Sequence, residues 1–205
     1  IPGRFGAFGM LQAAFASQAR EIPSLALGLA GTLKAAFGVK PSPDFTSLAE
    51  APRTIFNVNV TPQRRVATQA TSLERLKAIG EAAGGSINDV VLAASSGAMR
   101  RFLLEIGELP RKSLVTSIPV ALPRDSNQAG GNAISFANVR LGTDIEDVRE
   151  RFDVIRRSST AGREFLKQMS TKTLMDYTVL ISSPQILTRL PGIGSRVPPT
   201  YNVII

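Results

Sequence analysis

The stretch from Gly84 to Ala93 combines a helix start with polar side chains that suit a functional site. Ser86 and Asp89 stand three residues apart, which is the spacing of a capping box. That local role explains both residues without any further function. It explains Asn88 poorly, because asparagine is a weak helix former. Two interpretations stay open: these side chains cap the helix only, or Asn88 and Asp89 bond across to a loop that shapes a site.

A second informative stretch runs from Ser117 to Arg124 and continues from Gly131 to Phe136. Pro119 lies inside an apolar run that otherwise predicts a strand. A proline there cannot donate a ladder hydrogen bond, so it needs a sheet edge or a bulge. We expect the sheet to part at this point and leave a crevice. The alternative is an ordinary strand–turn–strand unit.

Two absences limit the chemistry that these 205 residues can perform. The sequence contains no histidine, which excludes a histidine general base or an HExxH metal site within it. It contains no cysteine, which excludes thiolate nucleophiles, disulfides and cysteine zinc sites. Carboxylates show no metal-like spacing, so we predict no metal site.

The hydrophobic pattern predicts a mixture of helices and strands from about residue 51 onward. Helices are expected after Ser72, after Ser86 and from a capping box at Thr143–Glu146. The helix after Ser86 is predicted to bury Val90, Val91, Ala94, Ala98, Phe102 and Ile106. Strands are expected over 56–60, 114–122, 133–141 and 201–205. Residues 1–50 favour two apolar helices and a proline-rich linker, and no run is long enough for a membrane span.

Taken in order, several short motifs resemble the C-terminal part of the bacterial wax ester synthase/diacylglycerol acyltransferases. Each is weak alone, whereas their order and spacing over about residues 50–205 are specific. The motifs are Phe56-Asn57, Arg64-Arg65-Val66-Ala67, Ser86-Ile87-Asn88-Asp89-Val90-Val91-Leu92-Ala93, Gly97-Ala98-Met99-Arg100-Arg101-Phe102-Leu103, Pro119-Val120, Gly131-Asn132-x-x-Ser135 and Asn202-Val203-Ile204-Ile205.

The resemblance implies an α/β (α+β) fold, namely one half of a CoA-dependent acyltransferase of the chloramphenicol acetyltransferase type, with a mixed sheet covered by helices. Residues 1–50 would be the helical connection between the two halves. Residues 51–205 would be the C-terminal subdomain, truncated at its last strand. The family's HHxxxDG motif, whose second histidine is the general base, would precede Ile1, so this chain alone should be inactive and should carry no catalytic residue.

The implied reaction moves a long-chain acyl group from acyl-CoA to a fatty alcohol or diacylglycerol, with acyl-CoA as co-substrate and no cofactor. Asn88 and Asp89 match the family's Asn-Asp motif and would organise the site. Family positions along or beside the tunnel are matched by Pro119, Val120, Asn132 and Ser135. Ala121-Leu122-Pro123-Arg124 departs from the family's usual Ser-Leu-Arg, which puts the geometry of this loop in question.

The resemblance also implies partners and a location. The partners are the HHxxxDG segment of the same polypeptide and a membrane or lipid-droplet surface, on which a cytoplasmic protein would bind peripherally. The net charge of +8 suits CoA phosphates and anionic lipid. Two alternatives remain. One is a non-catalytic scaffold or lipid-surface-binding half-domain. The other is a basic nucleic-acid-binding module, against which stand the scattered basic residues and the scarcity of aromatic ones.

Overall fold

The computed structural model describes residues 40–58, 62–121, 134–169, 174, 177, 178 and 199–205. Its elements are a 3-10 turn Ile55–Asn57, α1 Leu73–Ala82, α2 Ile87–Glu105, β1 Val115–Ala121, β2 Ile134–Arg140, α3 Val148–Lys167 and β3 Val203–Ile204. These bounds confirm the helices predicted after Ser72 and Ser86 and the strands predicted over 114–122, 133–141 and 201–205. The helices predicted within residues 1–39 lie outside the described residues.

The described strands form a mixed sheet in the order β2-β1-β3. β1 pairs antiparallel with β2, from Val115 opposite Arg140 to Ala121 opposite Ile134. β1 pairs parallel with β3 over a short stretch, where Thr116 and Ser117 face Val203 and Ile204. A mixed sheet with helices is the architecture that the sequence predicts.

Pro119 lies in the second half of β1. Among the described strands, this half pairs with β2 and not with β3. The carbonyls of Val115 and Ser117 accept hydrogen bonds from Asn202 N (2.8 Å) and Ile205 N (3.3 Å), so odd-numbered residues of β1 direct their backbone groups toward β3. Backbone groups alternate sides along a strand, and the nitrogen of Pro119 therefore points to the same side, past the two paired residues of β3. The missing N–H falls where the described ladder ends, as the proline rule requires.

The hydrophobic core lies between the sheet and the helices α2 and α3. Its fully buried members come from both layers: Leu92, Leu103, Leu114, Val139, Leu141 and Ile155. α3 approaches β2 closely because Gly162 has no side chain. A Cβ at Gly162 would stand 3.1 Å from the Cβ of Ala137. The contact holds α3 against the strand that carries Ser135.

The predicted apolar face of α2 is wrong apart from Val90. The helix buries Asp89, Leu92, Ser96 and Leu103, whereas Val91, Ala94, Ala98, Phe102 and Ile106 are exposed. The reason is that two polar residues of α2 have fixed partners. Ser96 donates a hydrogen bond to the Leu141 carbonyl (2.6 Å), and Asp89 completes the helix cap. The helical spacing of apolar residues does not reveal such hydrogen bonds between polar residues.

The capping box predicted at Thr143 is also wrong, because α3 begins at Val148 with Asp147 as its N-cap. Thr143 is fully buried, and its Oγ1 accepts a hydrogen bond from Leu114 N at 2.8 Å. Gly142, with φ of +62°, turns the chain just before it. The Thr143 hydroxyl therefore joins the end of β2 to the start of β1 instead of starting a helix.

The strand predicted over 56–60 is replaced by the 3-10 turn at Ile55–Asn57, while Val60 lies outside the described residues. The turn forms because Asn57 bonds to the far end of the chain. Its Nδ2 donates to the Tyr201 carbonyl (3.0 Å), and its Oδ1 accepts from Asn202 Nδ2 (2.7 Å).

Asn202 is buried and satisfied at both ends of its amide. Its Oδ1 accepts from Val115 N (2.9 Å), and its Nδ2 also donates to the Pro52 carbonyl (2.6 Å). We call these contacts among Pro52, Asn57, Val115 and Asn202 the Asn202 joint. It fastens the 52–57 segment to the sheet.

Candidate functional site

The start of α2 is held by a capping box around a buried carboxylate, as the sequence predicts. Asp89 Oδ2 accepts from Ser86 N (2.9 Å) and from Ser86 Oγ (2.7 Å). Asp89 is only 2% exposed, yet its Oδ1 has no hydrogen-bond partner in the described part of the chain. Asn88, next to it, is exposed, and its side chain makes no hydrogen bond with the described residues. The Asp89 side chain is thus committed to the helix cap, whereas the Asn88 side chain is exposed.

α3 contacts this helix start at two points. A Cβ on Gly85 would lie 2.7 Å from Cζ of the Phe152 ring, so only glycine fits against that ring. Farther along α3, Arg163 Nη2 lies 3.9 Å from Asp89 Oδ1. The distance is too long for a hydrogen bond but short enough for an ion pair. The loop before α2 and its first turn are therefore both held by α3.

The predicted residues at the end of the β1–β2 pair occupy three different environments. Pro119 is exposed, Val120 is half-buried and lies opposite Ser135, and Ser135 is fully buried. The Ser135 hydroxyl bonds to that of Thr178 (3.0 Å), which donates to the Leu174 carbonyl (2.8 Å). Since side chains alternate between sheet faces, Val120 and Ser135 share one face and Pro119 points to the other.

Five of the six predicted site residues are described, and they form two groups. Asn88 and Asp89 lie at the start of α2, and Pro119, Val120 and Ser135 lie at one end of the β1–β2 pair. Between described residues, no hydrogen bond or ion pair joins the two groups directly. α3 reaches the first group through Arg163, which approaches Asp89, and it packs on the strand of Ser135 through Gly162, which lies against Ala137. Asn132 lies outside the described residues. The crevice predicted at Pro119 does not open between β1 and β2, because the two strands stay paired there, with Pro119 opposite Phe136 and Ala121 opposite Ile134.

Two arginines fix the loop between β2 and α3. Arg151 Nη1 donates to the carbonyls of Ile145 (2.8 Å) and Glu146 (3.1 Å), and Arg100 Nη1 donates to the Thr143 carbonyl (2.6 Å). Burial, followed by repulsion from Arg100, lowers the pKa of Arg151. These guanidinium groups support the backbone of the loop that precedes α3.

Tyr177 is a buried residue whose pKa is strongly shifted. Burial raises the pKa of its hydroxyl to about 12. Its ring packs edge-on against Phe165, at a centroid distance of 5.7 Å. The hydroxyl therefore stays protonated at neutral pH and contributes no charge. No group of three metal-ligating side chains occurs within the described ranges.

Sequence reasoning missed Arg163 as a partner of the helix start. Asp89 and Arg163 belong to different helices, and neither charge spacing nor periodicity links them. The available sequence signal was indirect: Arg163 lies on the side of α3 that carries Phe152, Ile155 and Leu166, so a charged residue sits beside a buried stripe. The described helices include none that is long and apolar enough to cross a membrane.

Two family models match the chain, and together they account for most of it. The wax ester synthase/diacylglycerol acyltransferase catalytic domain matches residues 4–91, and the C-terminal domain of the same family matches residues 130–205. The first match begins well before residue 50, where the motif resemblance starts. The division of the chain at residue 50 stays a prediction.

Individual relatives give the same result. Protein tgs2 of Mycobacterium tuberculosis, which carries the name diacylglycerol O-acyltransferase, is 35% identical over 181 residues, or 87% of this chain and 40% of its own length. Mb2306 of Mycobacterium bovis, named for the same activity, is 37% identical over 197 residues, or 96% of this chain and 43% of its own. The chain thus spans about two fifths of the length of these relatives.

A solved structure, the wax ester synthase/diacylglycerol acyltransferase from Marinobacter aquaeolei VT8, superposes with a TM-score of 0.62 at 29% identity. The superposition covers 89% of this chain and 38% of that one. It confirms the predicted fold class, which is that of the CoA-dependent acyltransferases. By these matches, the chain belongs to the wax ester synthase/diacylglycerol acyltransferase family.

Proposed function

We propose that this chain is the C-terminal part of an O-acyltransferase that moves a long-chain acyl group from acyl-CoA to a fatty alcohol or diacylglycerol. The carrying observation is the start of α2, where an exposed Asn88 with no hydrogen bond to the described residues sits beside a buried, capped Asp89. A packed helix start that presents an uncommitted amide suits the positioning of a substrate or of a neighbouring loop.

The reaction needs a base that this sequence does not contain. We propose that a histidine of an HHxxxDG segment outside these 205 residues removes the proton from the acceptor hydroxyl. The oxygen then attacks the thioester carbonyl, the new C–O bond forms, and the C–S bond breaks as CoA leaves with the proton. Asn88 and Asp89 organise the site in which the two substrates meet, and acyl-CoA is a co-substrate, with no cofactor involved.

Alcohol-dependent CoA release tests this function. Palmitoyl-CoA and hexadecanol are supplied to the complete protein, and separately to the 205-residue chain alone. We expect the complete protein to release CoA only when alcohol is present, and the chain alone to release none. Release by the chain alone would contradict the external histidine. No release by a folded complete protein, with any long-chain alcohol or diacylglycerol, would favour the non-catalytic scaffold.

We also propose peripheral association with membranes or lipid inclusions. The supporting observation is the exposed apolar side of α2, where Phe102 and Ile106 are each about two fifths exposed, on a chain with a net charge of +8. Apolar side chains on a basic protein suit an anionic lipid surface. Co-sedimentation of the complete protein with phosphatidylglycerol vesicles, but not with phosphatidylcholine vesicles, is expected. Equal recovery in both supernatants would contradict this association.

A further inference from the structure

One side of α3 faces the start of α2. Phe152 and Arg163 are about three helical turns apart and therefore lie on the same side of α3. Phe152 presses on Gly85, just before α2, and Arg163 approaches Asp89 in its first turn. The helix start is thus held from α3 by one apolar and one charged contact.

Asp89 has a charge that its own helix does not satisfy. Both bonds from Ser86 go to Oδ2, and Oδ1 accepts none from the described residues. A buried carboxylate oxygen without a partner is costly, so a nearby cation has a strong effect on its position. Within the described ranges, the Arg163 guanidinium is the cation that lies within 4.0 Å of Oδ1.

Arg163 also lies next to the contact between α3 and the strand that carries Ser135. Its neighbour Gly162 packs on Ala137 of β2, two residues along the strand from Ser135. A displacement of α3 against the sheet would therefore reach Asp89 through Arg163 and then Asn88 through the backbone. Each step from α3 to Asn88 is a direct contact or a backbone bond.

We propose that Arg163 is a positioning residue: its ion pair with Asp89 Oδ1 sets the place of the α2 first turn, and hence of Asn88, relative to the sheet. The assignment rests on the proposed acyl transfer for its catalytic consequence. The ion pair itself can be tested without any activity. Arg163 is about one third exposed, which leaves its guanidinium hydrated on one side and able to adjust.

The kinetic test compares three variants of the complete protein in alcohol-dependent CoA release. Arg163→Gln is expected to lower kcat roughly fivefold to tenfold, because the helix start is misplaced. KM for palmitoyl-CoA should change by less than about twofold, since Arg163 touches no substrate. Arg163→Lys, which keeps the charge, should recover most of kcat. Arg149→Gln, the same substitution at an exposed position of α3, is the matched control and should behave as wild type.

The second test measures the pair by urea unfolding, in wild type, Arg163→Gln, Asp89→Asn and the double variant. Asp89→Asn removes the charge but keeps an oxygen that accepts from Ser86 N. If the two residues are coupled, Arg163→Gln lowers the unfolding midpoint in the wild-type background and leaves it nearly unchanged when Asn stands at 89.

The two tests separate failure of this proposal from failure of the proposed function. An active wild type whose Arg163→Gln variant keeps full kcat overturns the positioning role and leaves acyl transfer standing. A loss of kcat that Arg163→Lys does not recover also overturns it. If the wild type releases no CoA, the unfolding comparison decides: midpoint shifts that simply add would overturn the ion pair.

Discussion

The Asn202 joint and the start of α2 are both built around a buried polar side chain, but they differ in how completely that side chain is satisfied. Asn202 uses both ends of its amide, with bonds to Val115, Pro52 and Asn57. Asp89 uses one oxygen for the helix cap and leaves the other bare. A buried polar side chain with all its hydrogen bonds made holds the surrounding backbone in place. A side chain with one atom unbonded depends on a neighbouring side chain, here Arg163, for its position.

The largest effect is expected at the saturated group. Asn202→Ala leaves Val115 N–H and the Pro52 carbonyl without partners and should cost about 3 kcal/mol of unfolding free energy. Urea unfolding measures it. Asn138→Ala is the matched control, because that buried amide makes one hydrogen bond to the described residues, with the Thr200 carbonyl, and should cost about 1 kcal/mol. Equal losses at the two positions would break the comparison.

A buried hydroxyl extends the comparison to alkaline pH. The pKa of Tyr177 is raised by burial from its ordinary 10 to about 12, so the folded state holds this proton more tightly than the unfolded state. The resulting stability is present below pH 10 and is lost as the pH rises toward 12, by about 2–3 kcal/mol. Tyr177→Phe should remove this part of the alkaline loss. Parallel unfolding curves for the two proteins from pH 10 to 12 would contradict it.

At the half-satisfied carboxylate the expected loss is smaller than at Asn202. Asp89→Ala removes the N3 half of the capping box, in which the carboxylate accepts from Ser86 N, and should cost about 1–2 kcal/mol of unfolding free energy. Asp147→Ala removes the N-cap carboxylate of α3, an exposed side chain that also bonds one backbone N–H of a helix start, and is expected near the lower end of that range. A loss at Asp89 no greater than at Asp147 would show that its burial and its ion pair contribute nothing.

The smallest effect is expected at Ser159, whose hydroxyl is fully buried and has no partner in the described part of the chain. Ser159→Ala should change the unfolding free energy by less than about 0.5 kcal/mol, or raise it, because no bond is lost. Its neighbour Ser158 is the control. The Ser158 hydroxyl bonds to Thr46 (2.8 Å) and accepts from Arg140 N (3.0 Å), so its removal should cost about 1–2 kcal/mol. Similar values for the two serines would contradict the bond-counting argument.

The sequence predicted those parts of the fold that local chemistry decides. The Ser86–Asp89 box and the strands around Ser117 and Ala137 follow from local sequence patterns, and all are confirmed. Predictions failed where a distant partner decided the outcome. Thr143 bonds to Leu114, and Asn57 bonds to Asn202.

The candidate site shows the same division. Sequence reasoning singled out Asn88 and Asp89 as candidates, because the capping box and the weak helix former beside it lie within one helix turn. It missed Arg163, because the partner of Asp89 lies on another helix. It placed Pro119, Val120 and Ser135 together, but strand alternation sends Pro119 to the opposite face, and the hydroxyl of Ser135 is bonded inside the fold. The sheet face on which a side chain lies, and whether its polar atoms are hydrogen-bonded, are decided only in the folded chain.

The most direct test of the account is whether Asn88 belongs to the acyl-transfer machinery or only to a helix. Alcohol-dependent CoA release from palmitoyl-CoA is measured for the complete protein with Asn88→Ala, and with Ser95→Ala as a control two turns along the same side of α2. The account predicts severalfold slower transfer for Asn88→Ala with an unchanged unfolding midpoint, and wild-type transfer for Ser95→Ala. Unchanged transfer with Asn88→Ala, or a loss explained by unfolding, would contradict it.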